Sequence, residues 1–364
     1  MNRAVTRPGQ EASLGGAWGK VSGAFGAIAR TTSGPVYLVL LVVFVLCWAV
    51  VTIDGGEFLS VDNIRDMLVR SVALGIVAVG QTLVILGASL DLSVAFVVSL
   101  ASLIGAETME SSGVVPGIGA VLLFGAGVGL VNGLVITKLR VNAFIATLGM
   151  ALILSGYIES RWSGPAGDVP DGFQNTLGFD SWGPVPVSVV LLFAVVGLAW
   201  FLLRSTRFGH RLFAVGGNEE VSKLSGVRTH RVLIGAHVLC AMAAAITGLF
   251  LASRLGAGSP LVGTDGGYDL ESIAAVVLGG TYLLGGRGGV LGTLAGVFIL
   301  AMLDNTFNQL EVNAFLKDVA RGVIIIAAVA AYSLRWRKRR QRAATAGDSE
   351  QPPSGREPAL EGVR

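Results

Sequence analysis

Few residues in this 364-residue sequence could carry chemistry. Its three histidines, His210, His230 and His237, and two cysteines, Cys47 and Cys240, match no metal-ligand spacing and no disulfide framework. No G-x-x-x-x-G-K-[ST] phosphate loop occurs, so nucleotide hydrolysis by that route is excluded. No Ser/His/Asp or Cys/His grouping suggests a nucleophile, and catalysis on this chain is not expected. Two polar features remain. Asp91 is the single carboxylate inside the otherwise uncharged stretch 71–106, followed by Leu92 and Ser93. A charged group deep in hydrocarbon costs at least about 2.5–3.5 kcal/mol, so such a residue has a partner or a purpose. Two readings stay open, a helix break with Ser93 capping the next turn, or a role in solute passage. Asn132, alone among small apolar residues, either bonds a neighbouring helix or lines a path.

The elements that must position these residues follow from composition. Hydrophobic residues make up 52% of the chain, glycine contributes 51 residues more, and charged residues are 14%. A soluble chain carries about 25% charged residues. The mean hydropathy is +0.70. A water-soluble fold, intrinsic disorder and a disulfide scaffold are excluded, and an all-α polytopic membrane protein is implied. The net charge of +3 does not signal nucleic acid, because the basic residues flank apolar runs.

Uncharged windows occur at 35–53, 71–90, 92–106, 111–137, 141–158, 181–203, 232–253, 272–286, 288–303 and 322–334. A membrane-spanning helix needs about 20 residues, so 92–106, 272–286 and 288–303 read as short or broken. Ten passes with both termini cytosolic place 21 of the 27 Lys and Arg residues inside, the asymmetry expected of cytoplasmic loops. The organisation is then a cytosolic tail 1–34, a permease domain 35–334 and a tail 335–364 that is first basic, then disordered. Within the first tail, 14–29 could lie on the membrane as a weakly amphipathic helix. Asp304 and Asn305 are expected to end the ninth pass at the outer face.

The long inward loop 204–231 contains GNEEVSKLSG (217–226). Asn218 suits a helix N-cap, Glu219 and Glu220 suit the first turn, and Gly226 suits the stop. Val221 and Leu224 share one face. A solvated connector would have this composition too; two apolar residues on one face of a compact helix favour docking to another protein.

RFGHRLFAVGGNEEVSKLSGV, containing this helix, resembles the coupling-loop signature of the ribose-type family of ATP-binding-cassette importer permeases. GQTLVILGASLDLSV (80–94), VNAFIATLGMALILSG (141–156) and IAAVVLGGTYLLGGRGGVLGTLAGVFILAMLDN (273–305) resemble further family motifs in the same order. Coverage is roughly 35–335. One departure is that family members often carry a second glycine where this chain has Ala88, before Ser89, while the Asp-Leu-Ser core is kept. The resemblance implies a bacterial inner-membrane permease that moves a small polar solute, a pentose or hexose. It implies a cytosolic ATP-binding subunit, an extracytoplasmic sugar-binding protein and a second permease copy or paralogue as partners, besides membrane lipid. No cofactor is expected on this chain.

Gly217, Asn218, Glu219, Glu220, Val221, Leu224 and Gly226 are thus the expected ATPase-coupling residues. Asp91, Ser93, Ser99, Ser102, Asn132 and Thr281 are the expected pathway residues, because broken segments in a transporter mark the solute route. Arg287, among glycines at the inner face, is expected to contact the ATPase or anionic lipid or to anchor topology. A secondary transporter driven by an ion gradient is the alternative, but it would need ionisable residues at mid-membrane, and this chain has almost none.

Overall fold

The computed structural model describes residues 34–313, 315–317, 319–320, 322–323 and 326. It divides into two compact units, Met1–Lys317 and Asp318–Arg364, and the described residues of the second are helical. The expected tails 1–34, but for Gly34, and 335–364 and most of the tenth window lie outside the described residues.

In the first unit, α1 (Gly34–Ile53), α2 (Val61–Leu86), α3 (Val94–Ser112), α4 (Val114–Lys138) and α5 (Ala143–Arg161) follow one another through short turns. The connection 162–186 holds a single π-helical turn and a two-residue β-hairpin pairing Ser181–Trp182 with Val185–Pro186. Then come α6 (Val187–Ser205), α7 (Arg207–Gly217), α8 (Glu219–Leu224), α9 (Thr229–Leu255), α10 (Tyr268–Leu278) and α11 (Val290–Gln309). Among the described residues, eight of these are long and apolar enough to cross a membrane. The protein is therefore all-α and polytopic.

Helices α2, α3 and α9 form the interior, and α1, α4, α5 and α6 surround it. The most apolar window of α2 is 83% buried and that of α1 only 17%. Outer helices accordingly expose Leu46, Leu123, Ile145, Leu152 and Leu198, as lipid-facing sides do. The approach of α4 to α9 rests on Gly125, Gly129 and Gly133, one glycine every fourth residue. A Cβ at Gly129 would come 2.5 Å from the His237 carbonyl oxygen, and one at Gly133 2.7 Å from the Ile234 Cα. Small residues at this spacing let helix backbones touch.

Two windows expected to be short are not. The 92–106 window belongs to α3, 19 residues long, and 288–303 to α11, 20 residues long. The uncharged stretch undercounts because the helices run on through charged residues, α3 past Glu107 and Glu110 and α11 past Asp304. Glu107 there accepts a 2.7 Å hydrogen bond from the Trp162 indole. Asp304 and Asn305 are consequently inside α11 rather than at its end. The 272–286 window is indeed broken: α10 has 11 residues, only about 16 Å of helix.

Candidate functional site

The break between α2 and α3 is built around Asp91, which is fully buried. Its Oδ1 accepts from the Ser93 N–H (3.0 Å) and the Ser93 hydroxyl (2.5 Å). Its Oδ2 faces the Asn132 amide of α4 and His237 Nδ1 of α9, each at 3.3 Å. Asn132 Nδ2 also donates to Ser93 Oγ (3.0 Å), and Ser89 Oγ sits 2.9 Å from His237 Nε2. The Gln81 amide, in the orientation that satisfies both its atoms, brackets the Asp91 peptide at 3.3 Å on each side. The Leu92 N–H is accepted by Thr147 Oγ1 of α5 at 3.1 Å. Among the described residues, no buried side-chain polar atom is left without a partner. That completeness is what makes a buried carboxylate tolerable.

Asp91, Ser93 and Asn132 are therefore brought together, and they join four helices. One expectation is corrected: Ser93 does not cap α3 with its side chain. Asp91 takes the Ser93 N–H instead, because a carboxylate two residues upstream reaches that donor as an Asx turn does. Ser89, Thr147 and the partnership of His237 were not identified from sequence; a lone histidine in an apolar helix was the available signal.

Ser99 and Ser102 stand elsewhere, on α3. After α9 ends at left-handed Gly256, the chain turns back along α3 instead of leaving the bundle. Gly258 packs on Leu103 and Gly263 on Ala95, a descent of about 12 Å along α3 at 1.5 Å per residue. Ser102 Oγ accepts from the Ser259 N–H (3.1 Å) and Ser99 Oγ from the Gly263 N–H (2.9 Å). The two serines thus satisfy backbone donors of a re-entrant segment that is irregular but for the single helical turn Val262–Asp265, and irregular backbone between membrane spans is tolerated only inside protein. Then α10 completes the traverse. Thr281, just beyond it, accepts from the Gly289 N–H at 3.1 Å and closes the turn 281–289. Arg287 is exposed on that turn.

The helix expected within 217–226 is present as α8. The Asn218 side chain accepts from the Val221 N–H at 3.0 Å, and Gly226 follows at φ +80° with its N–H on the Lys223 carbonyl. Val221 and Leu224 are 56% and 90% exposed. Glu219 is exposed but engaged: it pairs with Lys223 at 2.9 Å and accepts from Thr229 at 3.0 Å. The hydrogen-bonded Lys223 ammonium first, then Thr229, holds its carboxyl below the ordinary value, against some desolvation. Glu220 is left as the acidic group on the exposed face.

The preceding segment was read as loop but is α7, an amphipathic helix whose Leu212 and Val215 are buried while Arg207 and Arg211 are exposed. The i, i+3 apolar pair between arginines was the missed signal. At the end of α7, Gly216 lies directly on the Leu86 carbonyl, where a Cβ would collide, and Gly286 packs on Gly217. The Gly286 N–H donates to the same Leu86 oxygen at 2.9 Å. The root of α8, the end of α2 and the turn 281–289 therefore meet backbone to backbone.

Fold and site together define a multi-pass membrane protein with a capped, partly apolar helix displayed at one end of the bundle. A family model described as branched-chain amino acid transport system / permease component matches residues 63–329. The ribose import permease RbsC of Escherichia coli is 36% identical over 297 residues, covering 79% of this chain and 91% of the relative. The galactose/methyl galactoside import permease MglC of Haemophilus influenzae is 33% identical over 325 residues, covering 84% and 95%. The L-arabinose permease AraH of Escherichia coli is 36% identical over 291 residues, covering 80% and 88%. No solved structure matches the chain. The chain belongs to this family of membrane permeases of ATP-binding-cassette importers, which favours that reading over the ion-driven transporter. It is a multi-pass protein of the bacterial cell membrane.

Proposed function

We propose that this permease conducts a monosaccharide, pentose or hexose, handed over by an extracytoplasmic binding protein and driven by a separate cytosolic ATP-binding subunit. Two permease chains would frame the path, in ten passes each with both termini cytosolic. The sugar names of the three relatives support the solute class. The basic asymmetry supports the orientation. In this reading Ser99, Ser102 and Thr281 border the path through the re-entrant segment and the turn they hold. Asp91, Ser93 and Asn132 fix the break that lets α2 and α3 pivot.

The observation that carries the coupling role is α8 itself, capped at both ends by Asn218 and Gly226 with Leu224 almost fully exposed. A soluble connector gains nothing from presenting Leu224 and Val221 side by side, whereas an apolar pocket on an ATPase subunit does. Gly217 connects this helix to the backbone junction at Leu86, so a push on α8 reaches α2 and the turn 281–289. Glu220→Lys or Leu224→Asp should uncouple ATP hydrolysis from uptake while the permease inserts normally, since both side chains are exposed. Co-purification of the ATPase subunit and solute uptake in proteoliposomes decide it. Wild-type assembly and uptake in both variants would make α8 a mere connector. Bulky replacements at Ser99, Ser102 and Thr281 should each impair uptake, and unimpaired uptake in all three would remove them from the path.

A further inference from the structure

A cavity of about 440 Å³ opens behind α8, lined by Phe208, Arg211, Gly226, Arg228, Arg231 and Val232. Three guanidinium groups border one space, and among the described residues no carboxylate lies within salt-bridge distance of any of them. Of the two carboxylates of α8, Glu219 is taken by Lys223 and Thr229 and Glu220 forms no ion pair with them. The three arginines are exposed at the rim of the cavity, so water screens their mutual repulsion, and an anion between them would be attracted by all three. The remaining lining is apolar, Phe208 from the first turn of α7 and Val232 from the first turn of α9. Because α9 is a candidate membrane span by length and composition, beginning at Thr229, the proposed topology would put the cavity beside its first turn near a membrane surface.

We propose that this cavity binds the phosphate of an anionic membrane lipid, with Arg211, Arg228 and Arg231 on the phosphate oxygens and Phe208 and Val232 against the glycerol end. Guanidinium forks match phosphate geometry with paired N–H donors. The apolar floor distinguishes a lipid from a free phosphate, which would leave Phe208 and Val232 uncovered. Gly226, the stop of α8, is one wall, so an occupied cavity braces the coupling helix from behind. The chemistry requires only a membrane surface at this end of the bundle; the proposed cytosolic placement of 204–231 makes that surface the anionic inner leaflet.

The test takes the full chain, without any ATPase subunit, from nanodiscs containing phosphatidylglycerol and phosphatidylethanolamine in equal amounts, and counts retained lipid by native mass spectrometry. Wild type should retain phosphatidylglycerol preferentially. The variant Arg211→Gln/Arg228→Gln/Arg231→Gln should lose about a hundredfold of that preference, the effect of three cations at a membrane surface. Replacing the same three residues by lysine keeps the charge and guards against misfolding; it should lose only about tenfold. The control Arg204→Gln/Arg207→Gln, on the same loop but outside the cavity, should lose only the share that surface charge alone supplies, clearly less than the triple glutamine variant. Equal retention of the two lipids by wild type, or an equal loss in the control, overturns the proposal. Displacement of the lipid by inorganic phosphate alone would assign the cavity to a free anion and overturn it as well. The readout needs neither ATP nor a set orientation, so its failure leaves the coupling test untouched, and the reverse holds.

Discussion

At the scale of single residues, Asp91 and Ala88 make opposite predictions. Asp91→Leu strands His237 Nδ1 and the Ser93 donors and leaves Asn132 Nδ2 only Ser93 Oγ, in a buried site. Each orphaned buried group costs about 1–3 kcal/mol, so thermal unfolding in detergent should show one of the largest losses of any single substitution. Asn132→Leu should cost less, because Asp91 keeps Ser93 and His237. Ala88 sits at φ +60° in the left-handed region, which costs a residue with a Cβ about 1–2 kcal/mol. Ala88→Gly should therefore raise stability by up to about 1 kcal/mol, part of the relief being returned as unfolded-state entropy. Glu219 predicts a pH response. Its lowered carboxyl pKa means that its pairing stabilises α8 above the ordinary value of 4.5 and is lost as pH falls through the lowered one. An NMR titration of its carboxyl should find a midpoint below 4.5, and Lys223→Ala should raise it. The seat of α8 should then be unchanged from about pH 5 to 8.

Among elements, the junction of α7, α2 and the turn 281–289 is the most sensitive contact to probe. Gly216→Val must push α7 off the Leu86 carbonyl, and overpacking of this kind costs about 1–3 kcal/mol or more. Gly217→Ala, one residue on, meets open space and should be tolerated. If the two variants lost equal stability, the close approach at Gly216 would not be what joins these elements. The re-entrant segment has the same logic. Only one helical turn, Val262–Asp265, is formed there, and Ser99 and Ser102 supply acceptors that water would otherwise provide.

For the whole molecule, the proposed ten-pass topology predicts which ends of the bundle are reachable from each side. A membrane-impermeant thiol reagent should label cysteines placed at 168–172 from outside and those at 216–220 only after the membrane is opened. Labelling of 216–220 from outside would reverse the orientation. Much of the architecture was legible in the sequence, because length and uncharged composition alone decide whether a segment can cross hydrocarbon. The α8 helix was legible for a related reason: Asn218, the acidic first turn and Gly226 are local capping chemistry that needs no tertiary partner. Relationship to the importer permeases was legible as motifs in order. What the sequence could not supply were the contacts between residues far apart in it. Asp91 meets Asn132 and His237, 41 and 146 residues away, only because glycines 129 and 133 draw α4 against α9. Ser99 and Ser102 turn out to hold backbone 164 and 157 residues distant. The true lengths of α3 and α11 escaped because both helices continue through charged residues, at which the uncharged windows stop. Local propensity and hydropathy determine which segments are helices and which can span. Close packing of those helices decides which polar groups find one another, and the functional geometry of this permease rests on those pairings.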